Sequence, residues 1–301
     1  LLWLLNGLYS TEKELLECLR DPRWRIRNLY KIKDKQKQIV QFVPNEAQAL
    51  LLELMHYRNI IPKARQRGFS TVIQLLALDT ALFLPGSDCG IIAQDLPTAM
   101  DIFASKIKIA YDNLPDIVKA MVPVISDTLT SITFANGSKV RVGVSMRGGT
   151  LNFLHVSEFC KISAKYPDKA REIVTGTLPA VPDDGMVFIE STAEGREGEF
   201  YTMTMAAKAL ADAGVKLSNL DFRLHFASWW DAKEYEMNPD GVVITDKDRE
   251  YFQRVESKIK RELSDRKRAW YVTARRTLFS GDQQKMFQEY PSTLEEAFSI
   301  S

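Results

Sequence analysis

The segment Lys63-Ala64-Arg65-Gln66-Arg67-Gly68-Phe69-Ser70-Thr71 decides the fold. It joins a short apolar strand pattern, residues 59–62, to a long pattern of strong helix formers, residues 70–84. Glycine lets the backbone approach an anion, a helix N-terminus offers unpaired N–H groups, and a hydroxyl can hold Mg²⁺. A strand, loop and helix of this composition therefore predict a phosphate-binding loop.

The loop departs from the standard pattern just before its hydroxyl pair. Phe69 stands where a lysine is usual, and an aromatic ring cannot neutralise phosphate. Lys63, at the front of the loop, could reach the β- and γ-phosphates from the other side. Taken alone, the loop is equally well explained as an ordinary connection with a solvated basic face.

Two later strand patterns end in groups that suit nucleotide chemistry. Residues 153–156 lead into Ser157 and Glu158, and residues 186–190 lead into Ser191 and Thr192. Ligands bind at the C-terminal ends of strands in open α/β sheets, where Glu158 could orient and deprotonate a water. An acid about 90 residues after the loop, and hydroxyl groups about 30 residues later, is the layout of additional-strand, catalytic-glutamate P-loop motors.

Alternating patterns along the chain predict an α/β fold with a mainly parallel sheet. Strands are predicted at 59–62, 90–94, 131–134, 140–145, 153–156, 186–190 and 222–226, and helices at 46–56, 70–84, 98–113, 164–175 and 200–213. Asn136-Gly137 predicts a hairpin. We divide the chain into a helical lead-in (1–37, with a capping box at Thr11 and Glu14), a core (38–230) and a mostly helical lid (231–301).

Charge balance and cysteine content exclude few classes of protein. The net charge of +1 neither favours nor opposes a nucleic-acid partner. Cys18, Cys89 and Cys160 are far apart, which argues against a disulfide framework or zinc site and fits a reducing cytoplasm. No apolar run reaches about 18 residues, so no transmembrane helix is expected.

Together these motifs resemble the N-terminal ATPase domain of the tailed-bacteriophage terminase large subunit, over nearly the whole chain. A phosphate loop with its lysine moved to the front is a known variant in that family. The other matching segments are Asp21-Pro22-Arg23-Trp24-Arg25 with Leu29-Tyr30, Pro44-Asn45-x-x-Gln48, Arg147-Gly148, the Glu158 strand, Ser191-Thr192-Ala193, and Glu289-Tyr290-Pro291-Ser292-x-x-Glu295-Glu296-Ala297-Phe298.

The resemblance implies a three-layer P-loop NTPase of the additional-strand catalytic-glutamate type, with a small helical lid, that uses ATP and Mg²⁺. It implies that Glu158 is the catalytic base and that Arg147 is an arginine finger reaching a neighbouring subunit. The remaining implied roles are phosphate binding by the loop (Lys63, Arg65, Gln66, Arg67, Gly68, Phe69, Ser70, Thr71), Mg²⁺ binding by Ser70, adenine binding by Gln48, and coupling by Ser191, Thr192 and Ala193.

The resemblance also implies a function and partners. ATP hydrolysis would drive double-stranded viral DNA into a procapsid, with the portal protein and the small terminase subunit as partners and no membrane. The chain would work in a homo-oligomeric ring, a pentamer in the family, in the cytoplasm of an infected bacterial host while docked transiently on the procapsid. Because the segment ending at Phe298 resembles the end of the ATPase half, no nuclease activity is expected from this chain.

Features that depart from the family keep other interpretations open. Ser157 stands where the family has aspartate, so it would act on Mg²⁺ only through a water, and metal affinity or turnover should fall. One alternative is a helicase-like DNA-remodelling ATPase, although a single phosphate loop counts against it. Another is a degenerate DNA- or capsid-binding scaffold, which Phe69 and Ser157 favour. Three explanations fit the basic run 254–276. It contacts phosphate, it is a solvated amphipathic helix that packs Trp270 and Tyr271 into the core, or it packs the lid against the next subunit.

Overall fold

The computed structural model describes residues 12–146 and 148–299. The strands are β1 (Lys31–Lys33), β2 (Ile39–Gln41), β3 (Arg58–Pro62), β4 (Asp88–Ile92), β5 (Val124–Asp127), β6 (Ser131–Phe134), β7 (Lys139–Gly143), β8 (Phe153–Ser157), β9 (Met186–Ser191) and β10 (Phe222–Leu224). The helices in the first half of the chain are α1 (Glu12–Leu19), α2 (Pro22–Asn28), α3 (Glu46–Leu54), α4 (Phe69–Phe83), α5 (Leu96–Ile102), α6 (Ile109–Asp112) and α7 (Asp116–Met121). They are followed by α8 (Phe159–Lys165), α9 (Pro167–Glu172), α10 (Glu199–Asp212), α11 (Asp246–Ile259), α12 (Asp265–Phe279), α13 (Gln283–Glu289) and α14 (Leu294–Ala297).

Within the described residues, eight strands form the central sheet, in the order β10-β3-β9-β8-β4-β7-β6-β5. The first six run parallel, while β6 is antiparallel to both β7 and β5. Strand β9 lies between β3, which precedes the phosphate loop, and β8, which precedes Glu158. That inserted strand confirms the predicted fold class.

The parallel strands are buried on both faces, which makes the domain three-layered. Ile61, Phe153 and Phe188 point into one apolar cluster, which also contains the inward side of α4. Their neighbours Ile60 and Leu154 point into a second cluster with residues of α8 and α10. Continuous apolar strands are needed for this arrangement, and the sequence patterns show them.

Several predicted boundaries needed correction. The helix predicted over 164–175 starts at Phe159, directly after Glu158, and α8 ends before Pro167, which cannot continue a helix and begins α9. The helix predicted over 98–113 contains a π-helical segment, Phe103–Lys108, between α5 and α6. Edge strand β5 and the β1–β2 hairpin were not predicted. The Asn136-Gly137 hairpin joins β6 and β7 as predicted.

The lid is held by an aromatic cluster. Trp229, Tyr235 and Tyr271 are buried there, and Trp270 stacks on Tyr235 with ring centroids 4.5 Å apart. The packing interpretation of Trp270 and Tyr271 is therefore confirmed. Part of the basic run forms ion pairs within the lid, such as Arg268 Nη2 with Glu256 Oε1 at 2.7 Å.

The lead-in packs against the same layer as α4. Leu19, Ile26 and Tyr30 are buried in the first apolar cluster. Glu14 of the predicted capping box lies in α1, whereas Thr11 lies outside the described residues. In the described part of the chain, no helix is both long and apolar enough to cross a membrane.

Candidate functional site

The carboxyl ends of β3, β9 and β8 meet at one edge of the sheet. Parallel pairing places Pro62 beside Ser191, and Ser157 beside Glu190. Lys63 follows β3 directly, and Glu158 follows β8 directly. The topology thus brings together side chains that are far apart in sequence, at the sheet edge where ligands bind in open α/β folds.

Lys63 points into this edge and lies between two carboxylates. Its Nζ is 3.1 Å from Glu158 Oε1 and 3.0 Å from Glu190 Oε2. The side chain is only 6% exposed. Burial alone would lower the pKa of Lys63, but the charges of Glu190 and Glu158 raise it above its usual value, so the ammonium is retained. The site therefore has a fixed cation at the front of the loop.

Glu190 is a site residue that we did not predict from the sequence. Its carboxyl group is fully buried, and its Oε1 accepts hydrogen bonds from Ser70 Oγ at 2.6 Å and Ser157 Oγ at 2.9 Å. His155 Nε2 lies 3.3 Å from the same oxygen. Burial would raise the pKa of Glu190, yet the Lys63 charge and these hydrogen bonds hold it well below its usual range. A lone acid in an otherwise apolar strand was the signal available in the sequence.

The start of α4 has the features of an anion site. Gly68 adopts a left-handed conformation with φ +78° and has no side chain with which to cap the helix, so the N-cap residue leaves the first N–H groups of α4 uncovered. Phe69 is buried in the first apolar cluster. Phe69 therefore offers phosphate only its backbone. Thr71 follows in the first turn and is half-buried.

The middle of the loop faces the lid. Arg65 is about half-exposed, with Nη1 3.3 Å from Glu289 Oε2, and Gln66 is exposed with φ +58°. Arg67 is buried, and its Nη2 lies 2.6 Å from Asp231 Oδ1. Of the predicted phosphate ligands, the structure brings Lys63 to the carboxylates and Ser70 to Glu190, whereas both arginines pair with lid acids.

Gln48 supports the loop through both ends of its amide. Its Oε1 accepts from the backbone N–H of Asn45, and its Nε2 donates to the Gly68 carbonyl at 2.7 Å. A cavity of about 210 Å³ lies nearby, lined by Pro44, Asn45, Glu46, Ala47, Arg67, Asp231, Ala232, Lys233 and Glu234. Contact of Gln48 with adenine stays a prediction.

We expect Gly68→Ala to lower the free energy of unfolding more than Gly86→Ala, its matched control. A Cβ on Gly68 would lie 2.6 Å from Gln48 Nε2, whereas one on Gly86, with nearly the same φ, meets nothing within 4 Å. The left-handed conformation alone costs about 1 kcal/mol in both variants. Moving Gln48 breaks its bond to Gly68, adding about 1 kcal/mol. Equal urea midpoints would contradict this.

Glu158 occupies an unusual backbone position. It is a non-glycine residue with φ +53°, a sparsely populated conformation that is enriched at functional sites. Its Oε2 lies 3.3 Å from Lys161 Nζ, and the side chain is 27% exposed. The side chain is thus partly open to solvent, while its Oε2 atom is buried beside Lys161.

The predicted coupling segment touches both sides of the site. The backbone carbonyl of Ser191 accepts a hydrogen bond from Lys63 N–H at 3.1 Å. The Ser191 side-chain Oγ accepts one from Cys160 N–H, also at 3.1 Å. Thr192 and Ala193 are buried beyond it. Ser191 therefore connects the phosphate loop to the helix that follows Glu158. Arg147, the predicted arginine finger, lies outside the described residues.

The strand order, with β9 between the loop strand and the Glu158 strand, defines an α/β fold of the P-loop NTPase type. No protein-family model matches the chain, and no curated protein matches it by sequence. The chain is similar in structure to the large terminase ATPase domain of Thermus phage P74-26, with TM-score 0.53 and 19% identity over 83% of this chain and 94% of that one. It is also similar to the HK97 bacteriophage large terminase, with TM-score 0.53 and 13% identity.

The match to the HK97 protein covers 89% of this chain and 54% of that one, so the chain spans about half of that terminase. At sequence identities this low, structural similarity shows the fold alone. The activity has to be argued from the residues of the site. The fold is that of large terminase ATPase domains.

Proposed function

We propose that this chain hydrolyses the β–γ bond of ATP and uses the energy to move double-stranded viral DNA into a procapsid. The observation that carries the proposal is the position of Lys63. Its ammonium lies between Glu158 and Glu190, and Glu190 accepts a hydrogen bond from Ser70 in the first turn of α4. A cation, a base and the N–H groups at a helix start are the parts that phosphoryl transfer needs.

Each group has a chemical task in this proposal. Lys63 and the first N–H groups of α4 neutralise the terminal phosphates. Glu158 orients the attacking water and accepts its proton. Ser70 and Glu190 fit Mg²⁺, because hydroxyl and carboxylate oxygens are hard ligands and these two lie 2.6 Å apart. When bound, Mg²⁺ would neutralise charge that develops on the phosphates.

The contacts around the loop suggest how phosphate loss reaches the rest of the domain. Arg65 and Arg67 pair with Glu289 and Asp231 of the lid, so a shift of the loop changes lid contacts. Ser191 links the loop to α8. In a homo-oligomeric ring, pentameric by family resemblance, these movements would act on DNA. The portal protein and small terminase subunit would be partners in the host cytoplasm, and Arg147 would act in trans.

The test is ATP turnover by the full chain with and without double-stranded DNA. We expect turnover that DNA stimulates, and a loss of at least about 100-fold in Lys63→Ala, since one electrostatic contact to the reacting group is worth that much. Lys216→Ala removes an exposed lysine and should behave like the parent. No parent turnover at high protein concentration with DNA would favour the scaffold alternative, and strand separation would favour the helicase alternative.

A further inference from the structure

The pocket lacks a carboxylate at the position where the resemblance expects one. Ser157 ends β8 where large terminases have aspartate. The facing residue on the next strand is Glu190, which is paired with Ser157 in parallel register. Ser157 Oγ donates to Glu190 Oε1 at 2.9 Å, so the carboxylate lies within one hydrogen bond of the substituted position.

We propose that Glu190 of β9 takes over the metal-holding role that the missing aspartate of β8 would have had. This inference rests on the proposed function, because the metal in question arrives with ATP. It moves the essential carboxylate by one strand while keeping it at the same edge of the sheet. In this proposal Ser157 does not bind the metal. Its hydroxyl group positions Glu190 by donating a hydrogen bond to it.

The two oxygens of Glu190 have different partners. Oε1 accepts from both Ser70 and Ser157, whereas Oε2 has the Lys63 ammonium at 3.0 Å as its partner among the described residues, so Oε2 becomes available when Lys63 turns to the phosphates. Ser70 is also the predicted metal ligand of the loop. Glu190 is therefore in contact with the metal-binding hydroxyl, with the substituted strand end and with the phosphate-binding lysine.

Charge balance favours a second cation beside Glu190 when nucleotide binds. When Lys63 binds the terminal phosphates, its positive charge is shared between the phosphates and Glu190, so the ion pair with Glu190 becomes weaker. A fully buried carboxylate without a counter-ion is strongly unfavourable. Mg²⁺ suits this place because it commonly keeps several waters and uses one or two carboxylates together with substrate phosphates. In residues 12–146 and 148–299, no three His, Cys, Asp or Glu side chains converge as a separate metal site.

The test measures Mn²⁺ affinity by electron paramagnetic resonance, with a non-hydrolysable ATP analogue bound to the full chain. Glu190→Gln keeps the shape and can still accept from Ser70 and Ser157. We expect it to weaken Mn²⁺ binding about 10- to 100-fold, the usual effect of losing a group that supports a metal. Analogue affinity without metal should change much less.

Returning the carboxylate to β8 provides the decisive control. Ser157→Asp with Glu190→Gln keeps the same pocket charge, and we expect its Mn²⁺ affinity to be about 10-fold better than that of Glu190→Gln. If Glu190→Gln alone does not fold, the double variant is compared with the parent instead. The Mn²⁺ affinity of the double variant should then lie within about 10-fold of the parent affinity.

Three outcomes would overturn the proposal. The first is parent-like Mn²⁺ affinity in Glu190→Gln. The second is an equal loss of metal-free analogue affinity, which would indicate that Glu190 only anchors Lys63. The third is a folded double variant that binds Mn²⁺ no better than Glu190→Gln. If the parent binds neither analogue nor Mn²⁺, the proposed function fails instead.

Discussion

Replacing Glu158 by glutamine is expected to lower ATP turnover by about two to four orders of magnitude, the range that a positioned general base contributes. Glutamine preserves the size of the side chain, and its Oε1 can still accept from Lys63 Nζ, now 3.1 Å from the Glu158 oxygen. Lys63 also keeps Glu190 at 3.0 Å. The variant therefore removes the base while leaving the cation in place.

Two further measurements separate loss of the base from loss of the site. The affinity for a fluorescent ATP analogue and the thermal midpoint should both stay close to the parent values. Glu250→Gln changes an exposed glutamate of α11 and should leave turnover unchanged. Turnover within about threefold of the parent in Glu158→Gln would exclude Glu158 as the base, because a base contributes at least about 100-fold.

The sequence predicted those parts of the fold that depend on local pattern. Apolar strands such as β8 and β9 were found with boundaries shifted by few residues, because buried parallel strands have continuous apolar runs. The break at Pro167 differs from the predicted single helix because helix-forming residues stand on both sides of the proline, while the proline itself cannot continue the helix that precedes it. Strand β5 was missed because it is short, at the sheet edge, and largely exposed, so it lacks an apolar signal.

The candidate site was only partly predictable, for a different reason. Lys63, Ser70 and Glu158 belong to local patterns, so the sequence indicated them before their contacts were known. The importance of Glu190 depends on its pairing with Ser157 across two strands, and strand register is set by tertiary packing. A single sequence contains no record of that pairing. The lid contacts of Arg65 and Arg67 are non-local in the same way.

The lead-in is joined to α4 by a buried ion pair that should matter greatly for stability. Arg25 Nη2 lies 2.7 Å from Asp79 Oδ2, and Tyr30 Oη donates to Asp79 Oδ1 at 2.7 Å. The Arg25 guanidinium also lies over the Phe83 ring and donates to the Leu19 carbonyl. Because α4 carries Ser70 at its other end, this cluster fixes the helix on which the phosphate loop depends.

We expect Asp79→Ala to lower the free energy of unfolding by about 3–5 kcal/mol, since it leaves the Arg25 charge buried without a partner. Asp116→Ala, which removes an exposed aspartate paired with Lys119, should leave the urea midpoint nearly unchanged. A midpoint for Asp79→Ala close to that of the control would contradict the prediction.

Removing the whole cluster should be far less harmful than removing one member. Burial raises the pKa of Asp79 despite the opposing effects of Arg25 and Tyr30, so the partners do not fully offset the loss of hydration. We therefore expect the triple variant Arg25→Met, Tyr30→Phe and Asp79→Leu to recover most of the stability lost in Asp79→Ala, to within about 2 kcal/mol of the parent. A triple variant as unstable as Asp79→Ala would show that the ion pair itself stabilises the fold.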